Sequence, residues 1–303
     1  MSDPSNPYDR KQSRTAIAKS VLGRLSLGER LLLAVSKHPA DVPVVSDYEQ
    51  PTDAWTVETA LTSFEVAFPE FREHCAGKSV LDYGCGDGFQ SIAVARAGAK
   101  KVVGVEISEA RLGFAQELLK KIGLDNVEFT RDINGAHDIV LSLNAIEHFV
   151  APEENLLEMK AALAPGGRIF ATFGPPWLAP FGHHMNFFTK VPWLNLLFSE
   201  KTVYRIRSLY RTDGATGYYP DVNKMTVKRF EALLKRCGLR AEKCVYRVVR
   251  DLPLVAKVPL LRELLINQID VILVPEHDDA EVLIPHTPEP GKPRKAGEES
   301  VLV

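Results

Sequence analysis

Residues 80–89 read Val80-Leu81-Asp82-Tyr83-Gly84-Cys85-Gly86-Asp87-Gly88-Phe89. A short apolar run ends in an acid, three glycines alternate with other residues, and an apolar segment of helical length follows at once. Glycine lets a chain turn tightly and lets a ligand approach the main chain closely. The helix that follows presents unbonded N–H groups to an electron-rich group such as a carboxylate or phosphate. A dinucleotide loop, Gly-x-Gly-x-x-Gly, would put its third glycine at position 89. Phe89 stands there, and the third glycine comes one residue early. Asp82, two residues before the first glycine, suits a cationic amino group and would repel a pyrophosphate. A glycine-rich turn that binds nothing is the plain alternative.

Outward from this loop, apolar runs alternate with helical segments, the pattern of βαβ units and a parallel sheet. Strands are expected at Ser79–Tyr83, Lys101–Val105, Val127–Thr130, Asp138–Ser142 and Arg168–Phe173, then at Glu242–Val249 and Gln268–Val274. Helices are expected at Asp53–Phe68, Phe89–Ala97, Ser108–Lys121, Pro152–Leu163 and Thr226–Cys237, with Pro165-Gly166-Gly167 as a turn. The chain after strand six turns back through Pro253 and Pro259, so the last strand should be antiparallel. The expected fold is α/β: a Rossmann-like, doubly wound, seven-stranded sheet with an N-terminal helical segment and an insertion after strand five. Three divisions follow: residues 1–50 as an amphipathic and connecting segment, 51–275 as the main domain with the insertion 174–225 as a substrate lid, and 276–303 as a disordered tail. Residues 1–13 also read as disordered.

Glu106 ends the second strand, beside the glycine loop in such a sheet. Its two oxygens can accept from the 2′- and 3′-hydroxyls of one ribose, and they would repel a 2′-phosphate. A solvated strand-end carboxylate is the plain alternative. With these residues in view, the chain resembles the class I S-adenosylmethionine-dependent methyltransferases, type 11/12-like. Their first motif is an acid followed by x-Gly-x-Gly-x-Gly. The resemblance covers Ser79–Phe173, with Ala-Pro-Gly-Gly-Arg before strand five as a further shared feature, and Thr226–Val274 as a pattern of elements only. It implies S-adenosylmethionine as cofactor and Asp82, Gly84, Cys85, Gly86, Gly88 and Glu106 as its cradle. Asp132 would receive the adenine amine, Ile107 and Ile133 would flank the ring, and the backbone of Leu143 would touch the adenosine. It leaves the acceptor open.

Methyl transfer needs the acceptor held in line in a dry site, and a base only if the acceptor must lose a proton. His148 is the first candidate for that base, since an unperturbed histidine exchanges a proton near neutral pH. Packing against Phe149 is the alternative. Asn144-x-x-Glu147-His148 is distantly similar to the Glu-x-x-Glu-His group of ubiquinone-biosynthesis O-methyltransferases and small-RNA 2′-O-methyltransferases, which can bind a divalent ion. The first carboxylate is missing here, so no metal site is expected, even with His183 or His184 as a further ligand. In the insertion, Trp177, Phe181 and one of His183 and His184 could face an aromatic acceptor, while Trp193, Phe187 and Phe198 form its own small core. A helix over Ser199–Arg211 leaves Arg205, Arg207 and Arg211 for a solvated face or for an anionic acceptor.

Composition excludes some classes. The 303 residues are 45% hydrophobic and 25% charged, with a formal net charge of -2, which gives no general footprint for nucleic acid. No apolar stretch reaches spanning length, no apolar leader opens the chain, and the 4 cysteines form no CxxC pair, so a cytoplasmic location is expected. Between Arg14 and Val35, Ile17, Val21, Leu22, Leu25, Leu31 and Leu32 recur at near-helical spacing, with Gly23 and Gly28 interrupting. Packing against the main domain is the favoured reading of this segment. Attachment to a membrane surface, helped by Arg14, Lys19, Arg24 and Arg30, is the alternative. The functional expectation is methyl transfer to a small molecule, at oxygen by the resemblance. A nicotinamide-dependent oxidoreductase and a non-catalytic S-adenosylmethionine-binding scaffold or sensor are the rivals.

Overall fold

Each short apolar run between Ser79 and Phe173 becomes a strand, because runs apolar on both faces are stable only where helices cover both sides of a sheet. The computed structural model describes residues 6–44, 56–249 and 258–276. In chain order the elements are α1 (Arg14–Leu22), α2 (Leu27–Val35), α3 (Val57–Ala67), α4 (Phe71–Cys75), β1 (Ser79–Tyr83), α5 (Phe89–Arg96), β2 (Lys101–Val105), α6 (Glu109–Ile122) and β3 (Val127–Thr130). There follow β4 (His137–Leu143), α7 (Pro152–Ala161), β5 (Leu163–Phe173), α8 (Leu194–Leu197), α9 (Glu200–Arg207), α10 (Val227–Arg236), β6 (Leu239–Val248), α11 (Pro259–Leu265) and β7 (Ile266–Pro275). The described residues divide into two compact units: 56–174, 227–247 and 268–276 carry the sheet, and 6–44, 175–226, 248–249 and 258–267 form a helical unit.

The sheet has 7 strands in the order β3-β2-β1-β4-β5-β7-β6. β1 to β5 run parallel, and β7 is antiparallel to β5 with Phe170 opposite Ile272. This is the expected doubly wound fold. On one face Val80, Val102, Ile139, Leu141 and Phe170 pack under α3 to α6, where Phe170 meets Phe68 and Phe71 edge-on. On the other, Tyr83 hydrogen-bonds Glu158 and Asn155 of α7 and packs edge-on against Phe149. That pairing anchors the segment after β4 to β1.

Several expectations need correction. The Pro165-Gly166-Gly167 stretch is not a turn before β5 but lies inside it: β5 begins at Leu163, pairs with His137, and shifts register before Ile139 meets Arg168. Gly167 lies so near the His137 and Asp138 carbonyls that a Cβ would sit 3.1 Å from both. Helix α7 therefore stops at Ala161 rather than Leu163. β6 starts at Leu239, three residues before the expected Glu242. The short helices α4, α8 and α11 carried no clear periodic signal. Residues 6–13 are ordered by Asn6, which donates to the Pro39 and Val42 carbonyls at 3.1 and 2.8 Å, and by Ser13, which caps α1. The expected tail beyond Glu276, the start of the helix at 53–55, residues 45–50 of the connector and the turn at Pro253 lie outside the described residues.

The helical unit has its own core, in which Leu25, Leu32 and Leu33 meet Phe188, Val203 and Ile206. Gly28 does not break α2; it sits in its first turn, where a Cβ would lie 3.6 Å from Thr202 of α9. Arg14 donates to the Leu33, Ala34 and Ser36 carbonyls at the C-terminus of α2, where a cation meets the negative end of the helix dipole. The helix expected over Ser199–Arg211 ends at Arg207, and Arg205, Arg207 and Arg211 each have a partner within the unit. Arg205 pairs with Glu29 at 2.8 Å, Arg207 takes Asp213 with two bonds of 2.6 Å, and Arg211 stacks 3.8 Å from the Phe187 ring centroid. Helix periodicity assigned them an outward face, but buried acids and a ring claim them.

Candidate active site

The strand order reverses between β1 and β4, the point at which the loops leaving the carboxyl ends of a doubly wound sheet part and bind ligands in the crevice between them. One wall is the loop Gly84–Gly88. The other is the segment after β4, which opens with Asn144 at φ 50°. The walls are close: a Cβ on Gly84 would sit 3.6 Å from the Ala145 methyl. Asn144 is fixed by Thr172 of β5, whose Oγ1 donates to Asn144 Oδ1 at 3.2 Å.

The glycine loop is tied down by main-chain bonds. Gly84 N–H and Cys85 N–H both donate to the Val105 carbonyl at the end of β2, at 2.9 and 3.0 Å. The three glycines take φ of 77°, 53° and 81°, left-handed values that other residues adopt only with strain. Gly88 carries a second constraint. A Cβ there would lie 2.5 Å from Phe129 Cζ and 2.8 Å from the Ala115 methyl. The Phe129 ring also fills the space beside Gly104, its cross-strand partner, where a Cβ would meet it at 2.5 Å. Neither Gly104 nor Phe129 was singled out from the sequence. The signal was there in the glycine interrupting the otherwise branched strand Lys101-Val102-Val103-Gly104-Val105.

Glu106 is 3% exposed. Gly86 N–H donates to its Oε2 at 3.0 Å and Ser108 N–H to its Oε1 at 2.8 Å. A carboxylate has about four lone-pair sites, so both oxygens keep capacity to accept from a ligand. Asp82 is equally buried and accepts from Ser91 Oγ of α5 at 2.6 Å. Burial pushes its carboxyl up, Ser91 opposes this, and the Glu106 charge adds to it, for a pKa of about 6. The recorded donors to this acidic pair are a hydroxyl and two amides, none of them charged. Ser91 was missed from the sequence, although it is the single polar side chain among the buried residues of α5. Burial first, then the Asp82 and Glu106 charges, hold the Cys85 thiol well above its usual range, so it packs and does not react.

Because β3, β2, β1 and β4 are parallel neighbours, Asp132, Glu106, the glycine loop and Leu143 follow one another along a single edge. Asp132 is exposed, and its N–H donates to Thr130 Oγ1 at 3.3 Å. Ile107, Ile133 and Leu143 are half-buried. His148 ends a single 3-10 turn, Ile146–His148, on the β4 wall and is half-buried. Its neighbour Glu147 is 2% exposed: Oε1 accepts from Gly174 N–H at 3.0 Å, and Oε2 is buried without a hydrogen-bond partner. Burial pushes this carboxyl up, opposed by His148 and by backbone N–H groups. Glu147 thus fastens the His148 turn to the chain leaving β5. Among the described residues no group of three His, Cys, Asp or Glu side chains converges as a metal site would need.

His183 and His184 lie in the helical unit. His183 is a structural residue there: fully buried, it donates from Nε2 to the Val191 carbonyl at 3.1 Å and accepts from Met185 N–H at Nδ1 at 3.0 Å. Burial, partly offset by the Val191 bond, lowers its pKa to about 4. Both nitrogens are engaged, which removes it from the candidate bases. His184 takes φ 54°. Trp177 packs edge-on against Tyr218 at 4.7 Å, and its carbonyl accepts from Asn195 at 2.8 Å; like Phe187 and Phe198, it joins the core of the helical unit.

With this geometry in hand, residues 74–180 match the family model described as a methyltransferase domain. The chain is 36% identical over 102 residues to a ubiquinone biosynthesis O-methyltransferase of Aromatoleum aromaticum, a match that covers 31% of this chain and 43% of that protein. It is 34% identical over 106 residues to the enzyme of the same name from Pseudomonas paraeruginosa, covering 33% and 45%. The chain thus spans under half the length of these curated relatives. Among solved structures, an S-adenosylmethionine-dependent methyltransferase from Mesorhizobium loti aligns at 19% identity over 72% of this chain and 99% of that one, with a TM-score of 0.47.

The packing of Phe129 sets an expectation. Gly88→Ala should cost about 2 kcal/mol or more, since it adds a clash with a buried ring to the strain of a positive φ. Gly86→Ala, whose Cβ would meet only the Arg111 Nη1 at 3.4 Å, should cost less. Urea unfolding of both variants tests this; equal losses would contradict the wedge.

Proposed function

We propose that this chain, whose residues 74–180 carry a methyltransferase domain, transfers a methyl group from S-adenosylmethionine to a small-molecule acceptor, at oxygen. One observation carries the reading. A buried carboxylate, Glu106, ends the strand beside the glycine loop and is oriented through both oxygens by Gly86 N–H and Ser108 N–H. The residues suit that cofactor in three respects. Glu106 can accept from two vicinal ribose hydroxyls, the glycine loop lets a ligand lie against the main chain, and the Asp82–Glu106 pair favours a cation. The similarity to ubiquinone biosynthesis O-methyltransferases supports oxygen as the accepting atom.

When bound, S-adenosylmethionine supplies a methyl carbon already activated by a sulfonium. The chain's own work is to bind, align and dry. Glu106 holds the ribose, and Asp132 takes the adenine amine at the outer end of the edge. Ile107 and Ile133 would flank the adenine ring, and the main chain of Leu143 would touch the adenosine. Asp82, ionised, offsets the positive charge of the amino-acid end. His148, on the opposite wall, takes the proton that an acceptor hydroxyl must lose, while Glu147 and Asn144 hold that wall to β5.

Titration calorimetry with S-adenosylmethionine and with NAD is the first test; binding of NAD alone would exclude the proposal. Release of labelled methyl groups onto components of a metabolite extract tests turnover, and cofactor binding without turnover would leave a binding protein instead. Glu106→Ala should weaken cofactor affinity about tenfold or more, because the ribose hydroxyls lose charge-assisted bonds. Wild-type affinity in that variant would refute the clamp. Asp82 must be ionised to favour a cation, and its pKa is about 6. Affinity should therefore be full above that value and fall as pH drops through it, about tenfold for each pH unit below. Asp82→Asn should flatten the profile, and a variant that keeps the same slope points to another group. His148→Ala should slow turnover about a hundredfold at saturating cofactor with cofactor affinity nearly intact. A rate at the wild-type level would show that the base lies elsewhere or is not needed.

A further inference from the structure

Helix α2 is apolar on two sides, and only one is buried. Glu29, Leu32 and Leu33 turn inward. On the other side Leu27, Leu31 and Val35 are 73%, 55% and 55% exposed, at the i, i+4, i+8 spacing that lines one helix face. Ala34 and Arg30 share that face and are exposed as well. A surface helix ordinarily keeps its outer face polar; this one repeats leucine where glutamate or lysine would be expected. Val21 at the end of α1 is 51% exposed, and Leu196 and Leu197, just before the Ser199 cap of α9, are 50% and 65% exposed. Gly28 lies against Thr202 in the first turn of that same α9.

Between Ser13 and Lys37 the exposed charge has one sign. Lys19, Arg24, Arg30 and Lys37 are all exposed. The sole acid from Ser13 to Lys37 is Glu29, which is buried and bonded to Arg205 and to Ser26 N–H. Gly182–Ser199 contains no acid either, and its Lys190 is exposed. A row of leucines bracketed by cations on a convex helix is the arrangement that lies in the headgroup layer of an anionic bilayer, apolar side chains down and cations at the phosphates. A second copy fits less well. A two-fold pairing through this face would gather Arg24 and Arg30 of both copies into one interface, with no exposed acid from residues 13–37 to offset them.

We infer that the outer face of α2, with Leu27, Leu31, Val35 and the flanking Lys19, Arg24 and Arg30, is a docking surface for anionic lipid membranes. The surface is independent of the glycine-loop site. No described helix is long and apolar enough to cross a membrane, so this is contact with one leaflet and reversible.

Co-sedimentation of the full chain with sonicated vesicles tests it. The wild type should pellet with equimolar phosphatidylglycerol and phosphatidylcholine, pellet far less with phosphatidylcholine alone, and be released by about 0.5 M salt. Leu27→Gln/Leu31→Gln should weaken partitioning about tenfold or more. Arg24→Gln/Arg30→Gln should abolish the preference for phosphatidylglycerol. All four positions are exposed, so both variants should keep the wild-type melting temperature and glycine-loop ligand affinity. A wild type that stays in the supernatant with both vesicles overturns the proposal, as does pelleting that neither variant changes. Sedimentation velocity names the other occupants. A dimer that Leu27→Gln/Leu31→Gln splits assigns the face to a second copy. Binding seen only after removal of residues 277–303 assigns it to that segment.

Discussion

The contact between the Phe129 ring and two glycines sets the rest of the candidate site. Phe129 stands across from Gly104 on the neighbouring strand and reaches over to Gly88 at the start of α5. Because neither position has a Cβ, the helix can begin almost on the strands. That closeness forces the chain leaving β1 to turn within a few residues, which only a glycine-rich loop with positive φ values accommodates. The turn in turn brings Gly86 N–H within hydrogen-bond distance of Glu106. Loop shape, helix position and carboxylate orientation are therefore one packing solution. Interiors this dense respond to a single added methyl group.

Electrostatics at the site work against the apoprotein. Asp82 and Glu106 are both buried, the Glu106 charge helps push the Asp82 carboxyl up, and the hydrogen bonds they accept come from uncharged groups. Burying charge without a countercharge is unfavourable. In the proposed function, the positive charge and sugar hydroxyls of S-adenosylmethionine would offset that cost. Glu147 has a different part. It is shut away from solvent with one oxygen on Gly174 N–H, and it serves as a tie between two strand ends.

The helical unit follows another logic. Arg205, Arg207 and Arg211 are paired with Glu29 and Asp213 or stacked on Phe187, while Leu27 and Leu31 of α2 are exposed. That inversion of the usual pattern costs little in the fold, since buried ion pairs near break-even when fully bonded. It leaves an apolar, cation-rimmed surface that asks for a partner.

Most of the sheet was legible in the residues alone. Strands of four to seven apolar residues and helices closed by Gly98, Gly123 and Gly238 follow from local periodicity and turn chemistry, which act over a few neighbours. The same holds for Asp82-x-Gly-x-Gly-x-Gly and for Glu106 at a strand end, because a parallel order places every strand's carboxyl end on one edge. What tertiary structure alone decided were matters of long sequence separation. Phe129 finds Gly88, Glu147 finds Gly174, and Asn6 finds Pro39. His183 lost its place among the bases because Val191 and Met185 take both ring nitrogens. Arg205 and Arg207 turned to Glu29 and Asp213, and Arg207 is buried there. Periodicity says which face of an element a side chain occupies. Only packing says what waits on that face, because the partner comes from a distant part of the chain and the free energy of the contact exists only once both are in place.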